Sequence, residues 1–182
     1  MQINKEQLIT ELLSLTEQAT IAVKEFKNLD INKLNFKKTP EQWSILECIE
    51  HLNLYGDFYL PEIQKQLLDT KYKEDSSVFK PGIIGDYFVG LMKTKNGKIK
   101  KMKSPKDKNP ANSILHITTL DRFLKQEQLL QSLLKQALTA DLTKIKTAIS
   151  LSKFIKLRLG DTLRFYVYHI ERHIKQAEKI IA

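Results

Sequence analysis

The sequence predicts an all-α protein, a four-helix bundle. Six glycines and five prolines in 182 residues are few chain breakers, which favours long helices over many turns. Four long stretches repeat apolar residues at spacings of three and four, the period of a helix with one buried face. No stretch alternates convincingly enough to read as a strand. The length fits one domain, so residues 1–182 are expected to form a single unit with an irregular basic loop at about 93–110.

The first helix is expected from about Lys5 to Lys27, with Leu8, Leu12, Leu15, Ala19, Ala22, Val23 and Phe26 as its stripe. The second follows Trp43. Ser44 and Glu47 form an S-x-x-E capping box, which places the N-cap at Ser44. Ile45, Ile49, Leu52, Tyr59 and Ile63 mark its buried side, and it should end near Asp69. Pro61 lies inside the pattern and should kink the helix near Asp57, because it removes one hydrogen bond and crowds the carbonyl four residues back. An apolar patch from Phe79 to Met92 fits a helical turn, and the lysine-rich loop follows it. The third helix is expected from about Ile117 to Leu138, carrying Leu120, Phe123, Leu124, Leu130, Leu133, Leu134 and Ala137. Asp141 to Arg158 reads as a connector. The fourth helix follows Gly160, with Asp161 as N-cap and Leu163, Val167, Ile170, Ile174, Ala177 and Ile181 as its stripe.

Composition excludes several classes. A single cysteine, Cys48, rules out an internal disulfide and a disulfide-stapled scaffold; it sits in an apolar-periodic helix, where a small core residue is expected. The N-terminal MQINKEQLITELL has no signal-peptide core, and no apolar run approaches the roughly 20 residues of a membrane span. A cytoplasmic protein with no membrane partner is expected. The net charge of +9 is concentrated: eight lysines and one aspartate between Lys93 and Lys108 carry +7, leaving +2 for the rest. That loop has no aromatic for base stacking, and no DNA-reading motif is visible, so nucleic acid is not the expected partner.

The four histidines are His51, His116, His169 and His173. Residues four apart on a helix lie only about 40° apart around its axis, so His169 and His173 point the same way. This is how one helix supplies two ligands to one metal; the same spacing also fits two solvated histidines on a polar stripe. Tyr166, His169, His173 and Gln176 form a polar line beside the apolar stripe, at the edge of the core, where helical bundles build metal sites. His51, beside core residue Leu52, is the third candidate. Glu47 either orients His51 from one turn back or serves only to close the capping box. His116 reads as structural or exposed.

Pro40-x-x-Trp43-Ser44-x-x-Glu47-x-x-x-His51-Leu52 resembles the second-helix signature of the DinB/YfiT-like superfamily. Leu159-Gly160-Asp161, then His169-Ile170-Glu171-Arg172-His173 and Gln176, resembles its last-helix signature, H-x-x-R-H-x-x-Q. Lys101-Met102-Lys103-Ser104-Pro105 and Pro110 are similar to the loop before its third helix. The resemblance implies a four-helix bundle, often dimeric, in which His51, His169 and His173 bind a divalent metal. It also implies transfer of a small thiol such as bacillithiol, mycothiol or glutathione onto an electrophile, or related isomerase chemistry.

Three neutral imidazoles suit zinc, nickel or iron(II), and three protein ligands leave a position open for chemistry. The leading expectation is a metal-dependent transferase joining a low-molecular-weight thiol to a small electrophilic substrate. The alternatives are a hydrolase using metal-activated water and a non-catalytic metal-binding or nucleic-acid-binding bundle. Tyr55, Tyr59, Tyr87 and Phe88 are expected to line the electrophile pocket.

Overall fold

The computed structural model describes residues 2–69, 71, 76–93 and 102–181. The central part of the predicted lysine loop, residues 94–101, lies outside the described residues. Four long helices match the four predicted segments closely: α1 (Lys5–Phe26), α3 (Ile45–Asp69), α5 (Thr118–Ala137) and α6 (Leu159–Ile181). α1 and α3 each pack against both α5 and α6. Among the described residues two shorter helices, α2 (Ile31–Asn35) and α4 (Ile83–Met92), and a 3₁₀ turn at Lys106–Lys108 accompany them. The architecture is mostly helical but not purely so. β1 (Ile3–Asn4) pairs antiparallel with β2 (Val78–Phe79), and β3 (Lys146–Ile149) pairs antiparallel with β4 (Ser152–Arg158).

The predicted stripes face the core, except that Leu15 and Leu124 are half-buried and Ile181, at the end of α6, is exposed. Leu8, Leu12, Ala19, Val23 and Phe26 of α1 are buried. So are Ile45, Ile49, Leu52, Tyr59 and Ile63 of α3, and Leu120, Phe123, Leu130, Leu133 and Leu134 of α5. Cys48 is wholly buried among them. The capping box forms as expected. The Ser44 backbone N–H donates to Glu47 Oε2 at 2.8 Å, and the Glu47 N–H donates to Ser44 Oγ at 3.2 Å. α3 continues through Pro61 without interruption.

Three expectations need correction. Asp141 to Arg158 is not merely a connector: after a turn closed by Asp141 it forms the β3–β4 hairpin. In the hairpin Lys146 to Ile149 alternates exposed with less exposed positions, but Lys-Thr-Ala-Ile does not alternate polar with apolar residues, so the sequence carries no strand period there. Asp161 is not an N-cap. β4 runs directly into α6, whose first backbone N–H groups, of Leu159 and Gly160, donate to the carbonyls of Ile145 and Leu142. The Asp161 carboxylate instead accepts from the Gly82 N–H at 2.8 Å and pairs with Arg164 at 3.4 Å. The patch from Phe79 to Met92 is more than a turn: it comprises part of β2 and the ten-residue α4.

α4 lies along α6. Phe88 meets Phe165, Arg164 reaches Asp86 at 2.9 Å, and the Lys93 ammonium sits 4.4 Å above the Tyr168 ring. With the hairpin on another side, α6 is enclosed almost all round: every residue from Leu159 to Ile170 is buried. The β2–α6 junction is close enough that a Cβ at Gly160 would fall 2.5 Å from the Phe79 ring.

Candidate metal centre

His51 comes from the second turn of α3, and His169 and His173 come from successive turns of α6. Because α3 packs on α6, the three imidazoles converge. One ring nitrogen from each lies within 4.8 Å of the others. All three side chains are buried, at 3, 4 and 8% exposure.

Their orientation follows from the bonds on the outer nitrogens. Nδ1 of His51 lies 2.6 Å from the backbone carbonyl of Lys108. Nδ1 of His173 lies 3.1 Å from Gln176 Oε1. A carbonyl only accepts, so each Nδ1 carries the proton and each Nε2 presents its lone pair inward. Nε2 of His51 and Nε2 of His169 are 3.1 Å apart. Tetrahedral zinc with Zn–N near 2.0–2.1 Å separates its nitrogens by about 3.3 Å, so this pair is spaced almost as a chelating pair would be. His169 Nδ1 is buried without a hydrogen-bond partner among the described residues. The donor set therefore fits a divalent ion of the zinc, nickel or iron(II) kind.

Electrostatics keep the imidazoles ready to coordinate. Burial pushes His51 down to about 4, opposed by the Lys108 carbonyl and reinforced by the Lys108 charge. Burial also holds His169 and His173 well below their ordinary value, and their neighbouring imidazoles and the Arg172 guanidinium add to it. All three are neutral at pH 7, the form that binds metal.

Aromatic rings surround the cluster. Trp43 lies 4.7 Å from His51 and 5.7 Å from His173, centroid to centroid. Tyr55 lies 4.9 Å from His51 and 4.4 Å from His169. Phe165 is stacked on His169 at 5.8 Å. Tyr59 and Phe88 extend this wall through Tyr55 and Phe165.

Other expected site residues fall elsewhere. Glu47 does not orient His51; its oxygens are taken by the N–H groups of Ser44 and Asn112 and by the Lys37 ammonium at 2.6 Å. The His51 partner is instead a backbone carbonyl, which no side-chain pattern reveals. Tyr166 stacks on Tyr59 at 5.6 Å, and burial, with the nearby Glu127 carboxyl, pushes its hydroxyl up. Tyr87 points outward and is exposed, and so is His116. Trp43 and Phe165 were not singled out as site residues. Phe165 was legible in retrospect, being one helical turn before His169 on the same face.

Cys48 supplies no nucleophile, since burial pushes its thiol far up and Glu47 adds to the shift. A surface depression of about 560 Å³ beside Asp57, Arg122, Gln126 and Leu129 contains none of the histidines.

No curated protein and no solved structure gives a match to this chain. The sequence model of the DinB superfamily matches residues 12–177. That span includes Trp43, His51, Lys108, His169, His173 and Gln176, every residue that builds or braces the cluster, and the chain belongs to the DinB superfamily.

Proposed function

We propose that this protein is a metal-dependent transferase that joins a low-molecular-weight thiol to a small electrophilic molecule. The observation that carries the reading is the convergence of three buried, neutral imidazoles while the sole cysteine is sealed in the core. A divalent ion held by His51, His169 and His173 supplies a Lewis acid that lowers the pKa of a thiol or water.

The chain's own residues then have separable tasks. The Lys108 carbonyl and Gln176 hold two imidazoles in the tautomer that coordinates. Trp43, Tyr55 and Phe165 exclude water from the cluster and offer apolar surface to the electrophile. In the reaction a bond forms from the thiol sulfur to the electrophilic carbon, the leaving group departs with its electron pair, and the thiol proton passes to solvent. We read the four long helices as one four-helix bundle spanning residues 1–182, acting in the cytoplasm as a homodimer.

The test starts from untagged protein. Bound metal per chain is measured by mass spectrometry, and turnover of an alkyl halide is followed with bacillithiol, mycothiol or glutathione. About one zinc, nickel or iron per chain, with thiol-dependent turnover abolished in His51→Ala, supports the reading. Turnover that needs metal but no thiol points to the hydrolase instead. Full turnover by metal-free His51→Ala rejects both.

A further inference from the structure

α4 turns Gly85, Val89 and Met92 inward and leaves Ile83, Ile84 and Tyr87 outward, at 92, 53 and 64% exposure. The adjoining hairpin leaves Phe154 and Leu151 outward, at 97 and 50%. The two elements are tied together: β4 packs against α4, and Arg158 donates to the carbonyls of Lys80 at 2.5 Å and Pro81 at 3.4 Å just before α4 begins. Five large apolar side chains therefore stand outward on two elements that are joined to one another, and clustered apolar exposure of this kind is a feature of contact surfaces.

The hairpin's own charged residues have one sign, although Asp141 pairs with Lys144 and Glu62 accepts from the Ala148 N–H. Residues 143–158 contain four lysines, one arginine and no carboxylate. Lys80 and Lys93, both exposed, bracket α4. The one carboxylate of α4, Asp86, is tied to Arg164. Within the hairpin, Lys146 and Arg158 are partners in register. Like charges directly opposite on paired strands are destabilising, and the Asp161 carboxylate, close to both, offsets part of that repulsion.

We infer that this face docks onto the surface of an anionic phospholipid bilayer. The apolar side chains of α4 and the hairpin seat in the headgroup–acyl boundary, and the lysines meet the lipid phosphates. Aliphatic Ile83, Ile84 and Leu151 gain from contact with acyl chains, whereas nucleic-acid bases reward aromatic faces. In a two-fold contact between copies of the chain, the same patch meets itself, so the cationic hairpin would face its own like charge. No helix among the described residues is long and apolar enough to cross a membrane. The sequence expectation of no membrane partner rested on that lack of a span; surface docking needs none. The docking does not involve the histidines, so it stands or falls separately from the metal chemistry.

Cosedimentation of the full, untagged chain with vesicles tests it. One set is phosphatidylcholine alone; the other is equal parts phosphatidylglycerol and phosphatidylcholine. The expected result is binding to the anionic set only, weakening as salt rises. Lys146→Gln with Lys156→Gln should weaken the partition about tenfold or more. Phe154→Ser with Ile83→Ser should weaken it about tenfold or more, and thermal melts should show all variants folded. Absence of binding to anionic vesicles at low salt overturns the inference, as does binding that both double variants leave unchanged. Sedimentation equilibrium showing a dimer that Ile83→Ser dissociates would instead assign the face to a second copy. A gel shift of single-stranded DNA that requires Phe154, without vesicle binding, would assign it to nucleic acid.

Discussion

The backbone carbonyl of Lys108 stands 2.6 Å from Nδ1 of His51, across 57 residues of chain. Ser104 Oγ donates to the same carbonyl at 3.1 Å. The segment is anchored further along, where the N–H of Asn112, a residue with φ of 65°, donates to Glu47 Oε1 at 2.8 Å. The end of the lysine-rich segment therefore serves the histidine cluster through its backbone, whatever its charges do.

Bound metal should stabilise the fold. A ligand at a hundred times its dissociation constant contributes about 2.7 kcal/mol, or roughly 5–10 °C in Tm for a chain of this size. Differential scanning calorimetry with and without zinc checks this. His51→Ala and His173→Ala should show no such shift, and an undiminished shift in either would remove that residue from the ligand set.

Gln176 reaches the cluster through His173, whose Nδ1 lies 3.1 Å from its Oε1. Gln176→Leu should weaken zinc affinity about 10–100-fold, the usual effect of removing a ligand's outer hydrogen-bond partner. Competition with a chromophoric chelator reads the affinity directly. An unchanged affinity would show that packing alone orients His173.

Glu47 accepts from two backbone N–H groups and an ammonium while 2% exposed. Glu47→Ala removes the capping box and leaves Lys37 without its partner. The expected loss is about 2–4 kcal/mol, measured by urea unfolding. A loss below about 0.5 kcal/mol, ordinary for a surface change, would mean that the carboxylate contributes nothing net.

In metal-free protein, His51 is held at about 4 against an ordinary 6.5. A group whose folded pKa is depressed contributes stability above its unfolded pKa. That stability is lost as pH falls through the folded pKa. The metal-free chain should therefore weaken steadily from about pH 6.5 toward pH 4, and His51→Gln should weaken less over that window. Coincident pH–stability curves for the two proteins would contradict this.

Glu127 has the opposite sign. It is fully buried in α5, neither carboxyl oxygen has a hydrogen-bond partner among the described residues, and burial raises its pKa well above 4.5. A raised folded pKa gives stability that is complete below the unfolded value and is lost as pH rises toward the folded one. Wild type should lose stability above about pH 4.5 at up to about 1.4 kcal/mol per pH unit. Glu127→Gln should flatten that decline, and Glu127→Leu should raise Tm at pH 8. Denaturant unfolding at pH 5 and pH 8 decides it, and parallel behaviour of wild type and Glu127→Gln would refute the account.

The sequence by itself determined the four long helices, because apolar periodicity records which face of a helix must leave water. It also determined the capping box at Ser44 and Glu47, since a cap is a local hydrogen-bond exchange. The pairing of His169 with His173 was legible for the same reason: four residues along a helix is a fixed geometry. Glu127 was not singled out, although it falls at stripe spacing between Phe123 and Leu130; its burial emerged only in the fold.

Only the tertiary structure decided what meets across the chain. It brought His51 to the α6 pair, gave His51 a backbone carbonyl for a partner, and took Glu47 and Asp161 for other bonds. It also covered the polar side of α6 with α4 and the hairpin. The physical reason is common to these cases. A side chain's spacing states which way it faces, whereas its partner depends on which distant segment is packed there, and a backbone carbonyl looks alike at every residue.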